Sequence, residues 1–410
     1  MPPDPTPSLL KTVFSGRMLT ALIMGFSCGL PLLLTITVLQ AWMQEEGVDL
    51  TVIGLMALVG LPYTVKFLWA PFLDRYTLPF FGRRRGWLLT AQLALALAIA
   101  GIGLTNPGAN PWLVAFAAFL VTFFSASQDI VVDAYRREDL PDEELGLGSS
   151  LYVNGYRLGM LLASGGGLIL ADHIPFPWVY VIMAGCMAPG VLTTIMAPEP
   201  PLPPGIPTRL REAVIDPLLD YFNRDGAIWI MAFILLYKIG DTMASAMTTP
   251  FYLDIGFSKT EIGAVVKLFG FWATVAGSLI GGIIMLRLGI NRSLWVFGVL
   301  QAVSTAGFAF LARVGHSLPL LSGVIAFENL SGGMGTAAYV AFMASITNKR
   351  FTATQYALLS SLMGVPRVLA SAPTGFLAKQ FGWEGFFIVC ALIAAPGMLL
   401  LLKFAPWRSS

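Results

Sequence analysis

The chain alternates long apolar runs with short polar breaks, and within a run polar residues do not recur at every second position. Twelve runs stand out, at approximately 18–43, 52–73, 86–105, 111–135, 147–171, 176–197, 227–252, 261–286, 292–312, 318–346, 354–378 and 383–403. Most reach the ~20 residues that a helix needs to cross about 30 Å of hydrocarbon. Strands of a membrane barrel would alternate apolar and polar positions, which these runs do not. The pattern predicts an all-α membrane protein with twelve transmembrane helices.

One break is longer than the rest. Residues 199–226 begin with Glu-Pro-Pro-Leu-Pro-Pro-Gly-Ile-Pro and continue through Thr208 to Phe222. In that second piece Leu210, Val214, Leu218, Leu219 and Phe222 fall at helical spacing among charged residues, with Pro217 interrupting. The spacing predicts a short amphipathic helix on the cytoplasmic membrane face. It divides the chain into a six-helix bundle at 1–198, a linker at 199–226 and a second six-helix bundle at 227–410. The halves share faint internal similarity. Thr-Val-Ile-Gly at 51–54 returns as Thr-Glu-Ile-Gly at 260–263, and Ser150 with Arg157 returns as Ser360 with Arg367. Gly-x4-Arg-Leu-Gly-x2-Arg at 282–292 echoes the basic segment after the second run. A nearly constant offset in matching order points to a duplicated six-helix unit.

Charge sharpens the picture. Nine ionisable side chains lie deep within runs: Lys66, Asp129, Asp133, Arg157, Lys238, Asp241, Lys267, Glu328 and Arg367. They fall in runs 2, 4, 5, 7, 8, 10 and 11, while runs 3, 6, 9 and 12 carry none. A charge in the bilayer core is costly unless it faces a watery cavity or a partner, and confinement of nine to eight of twelve runs has a chance of roughly one in forty. Runs 1, 2, 4, 5, 7, 8, 10 and 11 are therefore expected to line a cavity, and the other four to face lipid. With the N-terminus placed in the cytoplasm, seventeen of the 25 Lys and Arg fall on the cytoplasmic side, three outside and five within runs. The positive-inside rule then places both termini in the cytoplasm.

Composition agrees: 56% of residues are hydrophobic and 12% charged, against about 25% charged in soluble domains. The basic loops are topological, and a net charge of +2 implies no nucleic-acid partner. Cys28, Cys186 and Cys390 lie within runs and read as apolar thiols without a disulfide framework. The first run is too long for a signal-peptide core, so the N-terminus is expected to stay uncleaved. No metal, cofactor or nucleophile–base motif is evident, and both histidines, His173 and His316, fall in outer loops. An enzyme is not expected.

The loop after run 2 contains Asp74-Arg75, then Gly82-Arg83-Arg84-Arg85 after a Pro-Phe-Phe insertion. It resembles the signature loop of the major facilitator superfamily, although Ala70 stands where that signature begins with glycine. A carboxylate with several guanidiniums can bridge helix ends in one of two states, a cytoplasmic latch. A positive-inside anchor would explain the arginines but not Asp74. In run 4, Asp129 and Asp133 are four apart and share a helix face. Two carboxylates that close in a medium poor in water cannot both ionise cheaply, which suits a proton-coupling site. Asp133, one turn from Arg136 and Arg137, also reads as an interfacial ion pair.

Further runs of sequence extend the likeness: Gly-Phe-Ser-Cys-Gly-Leu-Pro-Leu at 25–32, Gln40-Ala-Trp42, Lys66-Phe-Leu-Trp69, Ser-Ala-Ser-Gln-Asp-Ile-Val at 125–131, Gly-Tyr156-Arg157-Leu-Gly-Met, Ala-Pro-Glu-Pro at 197–200, Leu-Tyr237-Lys238-x-Gly-Asp241 and Phe-Glu328-Asn329. In this order and over the whole chain they resemble the AmpG-type muropeptide permeases. The two further C-terminal spans that some members carry are expected to be lacking here. The resemblance implies the major facilitator fold and alternating-access, proton-driven import of anhydromuropeptides from periplasm to cytoplasm for peptidoglycan recycling. It implies a monomer in the bacterial inner membrane.

Such a ligand carries carboxylates, acetamides and sugar hydroxyls. Lys66, Arg157, Lys238, Lys267 and Arg367 offer cations to carboxylates. Gln40, Gln128, Asn154 and Asn329 can pair with hydroxyls and acetamides. Tyr156, Tyr237 and Trp42 are among the aromatics able to stack on sugar faces. Asp129 is the first candidate proton carrier, with Glu328, Asp241 and Asp133 behind it. Lys238 and Asp241, three apart, read either as a structural pair or as one that opens with substrate or proton. Arg157 and Arg367, at matching positions, are candidates to pair with Asp129 and Glu328. Two alternatives remain at this stage: a proton-coupled carrier of another polar solute, or a drug/proton antiporter. Against the latter, run 5 has Ala163-Ser-Gly-Gly-Gly without the proline such exporters tend to show.

Overall fold

The computed structural model describes residues 13–48, 52–53, 56–201, 210–258, 261–366, 370 and 373–405, and every regular element in them is helical. Ser15 opens the first helix by accepting from the Met18 amide, and the chain stays helical over Gly16–Glu45. Asn110 does the same for Pro111–Asp139, with Pro111 at the first helical position, where its missing N–H costs nothing. Arg83–Gly103, Leu145–Leu161, Phe176–Gly185, Ala188–Met196, Ala227–Leu236, Ile239–Asp254 and Leu318–Ser345 follow the predicted runs closely. Among the described residues seven helices are long and apolar enough to cross a membrane.

Three details go beyond the predicted runs, and two have plain causes. The run at 52–73, predicted as one helix, is a string of short pieces: Met56–Gly60 and Lys66–Leu68 are 3-10, Leu61–Val65 and Ala70–Arg75 are α. Pro62 and Pro71 sit at the start of the two α pieces, and each removes an amide donor and crowds the carbonyl four residues back. The breaks near 287–291 and 379–382 are present, but each narrows to one non-helical residue. Gly270–Val314 and Thr374–Phe404 each run through a single kink, at Gly289 (φ 74°) and Gly382 (φ 66°). Only glycine takes that backbone without a Cβ clash, so one residue turns the chain where a loop was expected. Third, π-helical turns interrupt the helices at Leu34–Val38, Leu162–Gly166 and Ile262–Phe269. Such turns are rare and concentrate at functional sites.

The chain forms two compact units. Unit 1 is Met1–Pro217 with Thr347–Ala357; unit 2 is Leu218–Ile346 with Leu358–Ser410. In unit 1, Gly16–Leu33 packs along Leu145–Leu161 through reciprocal glycine pairs. A Cβ on Gly25 would lie 2.1 Å from the Tyr152 carbonyl oxygen and one on Gly29 1.9 Å from that of Tyr156. In return, Gly155 and Gly159 would meet the carbonyls of Leu22 and Phe26 at 1.9 and 2.2 Å. This is the small-residue contact that lets membrane helices approach backbone to backbone. In unit 2, Gly277 and Gly333 make the same kind of contact, to the Leu330 and Thr274 carbonyls. Its core is aromatic, with Phe251, Phe308 and Phe387 in mutual contact and Phe386 against Phe387.

Burial does not separate the predicted lipid-facing runs from the others: 33% of the apolar window of Phe176–Met196 is buried against 61% for Gly16–Glu45, but Arg83–Gly103 and Ala227–Thr248, from the two classes, are equal at 44%. Nor is exposed apolar surface confined to the predicted lipid-facing runs. Trp112, Phe116 and Trp229, on other runs, are also exposed. In the linker, Leu210–Phe222 is a helix with Pro217 inside it, exposing Val214, Leu218, Leu219 and Phe222. Residues 202–209 and Arg367 lie outside the described residues.

Candidate functional site

The candidate residues gather at three places: two within unit 1 and one within unit 2. The first is the middle of Pro111–Asp139. Asp129 pairs with Lys66 at 4.0 Å, both side chains buried. The 3-10 turn Lys66–Leu68 aims the lysine at this helix. The second oxygen of Asp129, Oδ1, has no hydrogen-bond partner among the described residues. Gln128 donates to the Cys28 thiol at 3.4 Å while its own amide oxygen is unpaired. Asn154, 2% exposed, has neither side-chain atom satisfied. Buried polar atoms in this condition are uncommon and invite a ligand or water. Tyr156 and Arg157 are half-buried on the same helix as Asn154, and Tyr156 lies against Tyr152 with ring centroids 6.2 Å apart. Lys66 thus supplies a cation to Asp129. Trp69 and Tyr63 donate to Ser127 and Ser125, fixing the broken run to this helix.

The second place lies at the end of the same helix. Asp74 is 1% exposed and accepts four hydrogen bonds. Arg84 donates to Oδ1 at 2.7 Å; the amides of Ala353 and Thr354 donate at 3.3 and 2.8 Å, and the Thr354 hydroxyl at 2.8 Å. Its carboxylate therefore caps the N-terminus of Thr352–Leu362, where unpaired amides and the helix dipole favour an anion. Arg84 also holds Glu138 through Nη2 at 2.6 Å and Nε, and Arg83 binds the same carboxylate at 2.6 Å. Asp133 accepts from Arg136 at 3.1 Å, and Arg136 lies over the Tyr152 ring and donates to Tyr356. Thus three residues of Thr347–Ala357 are tied to Asp74 and Arg136.

The predicted latch residues divide here. Asp74, Arg83 and Arg84 form one buried network. Arg85 instead donates to the carbonyls of Thr194 and Ile195, and Arg75 lies over the Tyr76 ring. Glu199, the first residue of the linker, accepts from the amides of Arg84 and Arg85 and so caps Arg83–Gly103. At the end of Pro111–Asp139, Arg137 binds Asp142 of the loop beyond at 2.5 Å, and that hydrogen bond holds the Asp142 carboxyl below the usual carboxylate range.

In unit 2 the chain leaves α geometry at Lys238, between Ala227–Leu236 and Ile239–Asp254. Lys238 binds Asp241 at 3.2 Å and donates to Thr336 at 3.0 Å. Glu328 faces Asp241 and accepts from Ser304 at 2.5 Å. Asn329 accepts from Thr274 at 2.7 Å. Each unit therefore holds a lysine beside two carboxylates: Lys66 with Asp129 and Asp133, Lys238 with Asp241 and Glu328. Two candidates stand apart. Tyr237 is buried, donates to the Leu294 carbonyl and stacks on Tyr339, so its ring is part of the core. Lys267, on the π-turn Ile262–Phe269, is exposed and has no ion-pair partner among the described residues. Trp42 is likewise a core residue, stacked on Phe176.

Sequence reasoning missed Glu138, Glu199, Thr354, Tyr356 and Ser304. Glu138 had a signal, since Arg136-Arg137-Glu138-Asp139 puts carboxylates directly beyond the arginines counted for topology. Thr354 had none: it meets Asp74 across 280 residues.

The Major Facilitator Superfamily pattern matches residues 18–315 and 236–409. An anhydromuropeptide permease of Escherichia coli (strain K12) is 46% identical over 395 residues, 96% of this chain and 80% of its own length. The chain belongs to the AmpG-type permeases of the major facilitator superfamily. An uncharacterized protein of Haemophilus influenzae is 42% identical over 98% of this chain and 97% of its own. Among solved structures, the fucose:proton symporter of E. coli superposes with a TM-score of 0.75 over 98% of this chain and all of its own, at 14% identity. The all-helical major facilitator fold is therefore shared well beyond detectable sequence likeness. The permeases of this superfamily are transporters, and this chain is a multi-pass membrane transporter.

Proposed function

We propose that this transporter imports anhydromuropeptides across the bacterial inner membrane by alternating access, driven by an inward proton gradient and serving peptidoglycan recycling. The observation that carries the reading is 46% identity across nearly the whole chain to a protein named for that substrate. In this reading the chain has twelve spans in two six-helix bundles, joined by a cytoplasmic linker, with both termini in the cytoplasm.

The charged groups suit the task. For a ligand bearing carboxylates, acetamides and hydroxyls, the first unit offers Lys66, Gln128, Asn154 and Arg157, and the second offers Lys238, Asn329 and Lys267. Asp129 is the proton carrier: its pairing with Lys66 is long at 4.0 Å, and its unpaired Oδ1 is free to take a proton. Protonation there releases Lys66 to a substrate carboxylate, which links the two cargoes. Asp241 and Glu328 repeat the arrangement beside Lys238. The Asp74–Arg84–Glu138 network is the cytoplasmic latch, holding the start of Thr352–Leu362 against Asp74 within unit 1.

The deciding experiment is uptake of labelled anhydromuropeptide into membrane vesicles, with and without an inward proton gradient. Accumulation above the external concentration, abolished by a protonophore, is the expected result. Equal uptake in both conditions removes proton coupling from the proposal, and no uptake in either removes the substrate.

A further inference from the structure

A cavity of about 130 Å³ lies within unit 1, beside the π-turn Leu34–Val38. Its polar lining is Thr35, Gln40 and Tyr63, and Leu32, Met56 and Val59 are among its apolar walls. The hydrogen bonds already made by the polar groups decide what each still offers. The Tyr63 hydroxyl gives its hydrogen to Ser125 at 2.8 Å, leaving its oxygen an acceptor. The Thr35 hydroxyl gives its hydrogen to the Leu32 carbonyl at 3.0 Å and is left an acceptor too. Gln40 has no hydrogen-bond partner among the described residues, so its amide can both donate and accept.

The walls are held from behind. Tyr180 donates to the Leu34 carbonyl at 3.0 Å, at the head of the π-turn, and Thr122 donates to the Val59 carbonyl at 2.6 Å. A small apolar-walled cavity with a few fixed polar groups is the usual form of a ligand site.

We propose that this cavity is the subsite for an N-acetyl group of the transported sugar. An acetamide has one N–H, one carbonyl and one methyl. The N–H is taken by the Tyr63 or Thr35 oxygen, the carbonyl by the Gln40 amide, and the methyl by Leu32, Met56 and Val59. A free amine or a simple hydroxyl would leave the apolar walls without an occupant. The inference rests on the transport reading above and adds which part of the substrate is read, and by which residues.

Two probes and three variants test it. The probes are the labelled N-acetylglucosaminyl-anhydro-N-acetylmuramyl peptide and its N-formyl counterpart, which is uncharged at the amide but lacks the methyl. The loss of one such group from an apolar pocket costs about tenfold or more in kcat/KM, which is the preference expected of the unaltered protein. Gln40→Leu and Tyr63→Phe each remove one polar partner and should raise KM for the N-acetyl probe by about tenfold. Gly60 also lines the cavity; its φ is −75°, and a Cβ there meets no atom within 4 Å. Gly60→Leu should therefore fold, fill the space and abolish the preference for acetyl over formyl. Size-exclusion profiles of the purified variants separate loss of the subsite from loss of the fold. If the unaltered protein prefers the acetyl probe and all three folded variants keep both the preference and the KM, the acetamide is read elsewhere and the subsite is wrong. If the unaltered protein takes up neither probe, the transport reading itself fails, an outcome distinguishable from the first.

Discussion

At the residue scale the chain is organised by buried charge that is either fully matched or left deliberately short of partners. Arg84 is fully buried and shared between Asp74 and Glu138, and Arg83 completes the set. Removing one member of such a network leaves a buried charge uncompensated, which costs about 3–5 kcal/mol. Glu138→Gln should accordingly lower the thermal stability of the purified protein far more than Glu45→Gln, a substitution at an exposed position. Asp129 is the opposite case, with a distant lysine and one orphan oxygen. Asp129→Asn should abolish gradient-driven accumulation and leave downhill exchange of labelled substrate measurable. A mutant that still concentrates substrate makes Asp129 structural and moves the proton elsewhere. Both Asp74 and Asp129 were legible in the sequence, because a carboxylate in an apolar or arginine-rich setting is conspicuous. Their partners were not: Glu138 was hidden among residues read as topological, and Thr354 is an ordinary helix-start residue until the fold brings it to Asp74.

At the scale of elements, glycine decides where helices approach and where they turn. Gly25 and Gly29 face Gly155 and Gly159 across a backbone contact with no room for a side chain. Gly29→Val should prevent accumulation of folded protein in the membrane, while Gly16→Ala, at a site with nothing within 4 Å, should not. The other element with a distinct role is Thr352–Leu362, whose first amides are capped by Asp74. Asp74→Asn weakens that cap and the Arg84 pairing together. It should slow transport with little change in substrate affinity, because a latch alters the populations of states and makes no contact with substrate. A change in affinity alone would count against the latch. The periodic apolar runs made the helices readable, yet single glycines and prolines placed the breaks: Gly289 replaced an expected loop, and Pro62 and Pro71 divided an expected helix.

At the scale of the whole molecule, the asymmetry of arginine and lysine makes a testable claim about topology. A green fluorescent protein fused to either end should fluoresce, and alkaline phosphatase fused to either end should be inactive; active phosphatase at one end would reverse that end's placement. Local sequence is enough to establish that this is a helical membrane transporter, which apolar runs carry charge, and the family to which it belongs. These properties depend on local hydrophobicity and on motifs readable within a few turns of chain. Tertiary structure alone decided that Lys66 meets Asp129, that Tyr237 and Trp42 are core residues, and that residues 347–357 join the first unit. Those outcomes depend on contacts between positions tens to hundreds of residues apart, and on which face of each helix is already occupied, and neither leaves a local trace in the sequence.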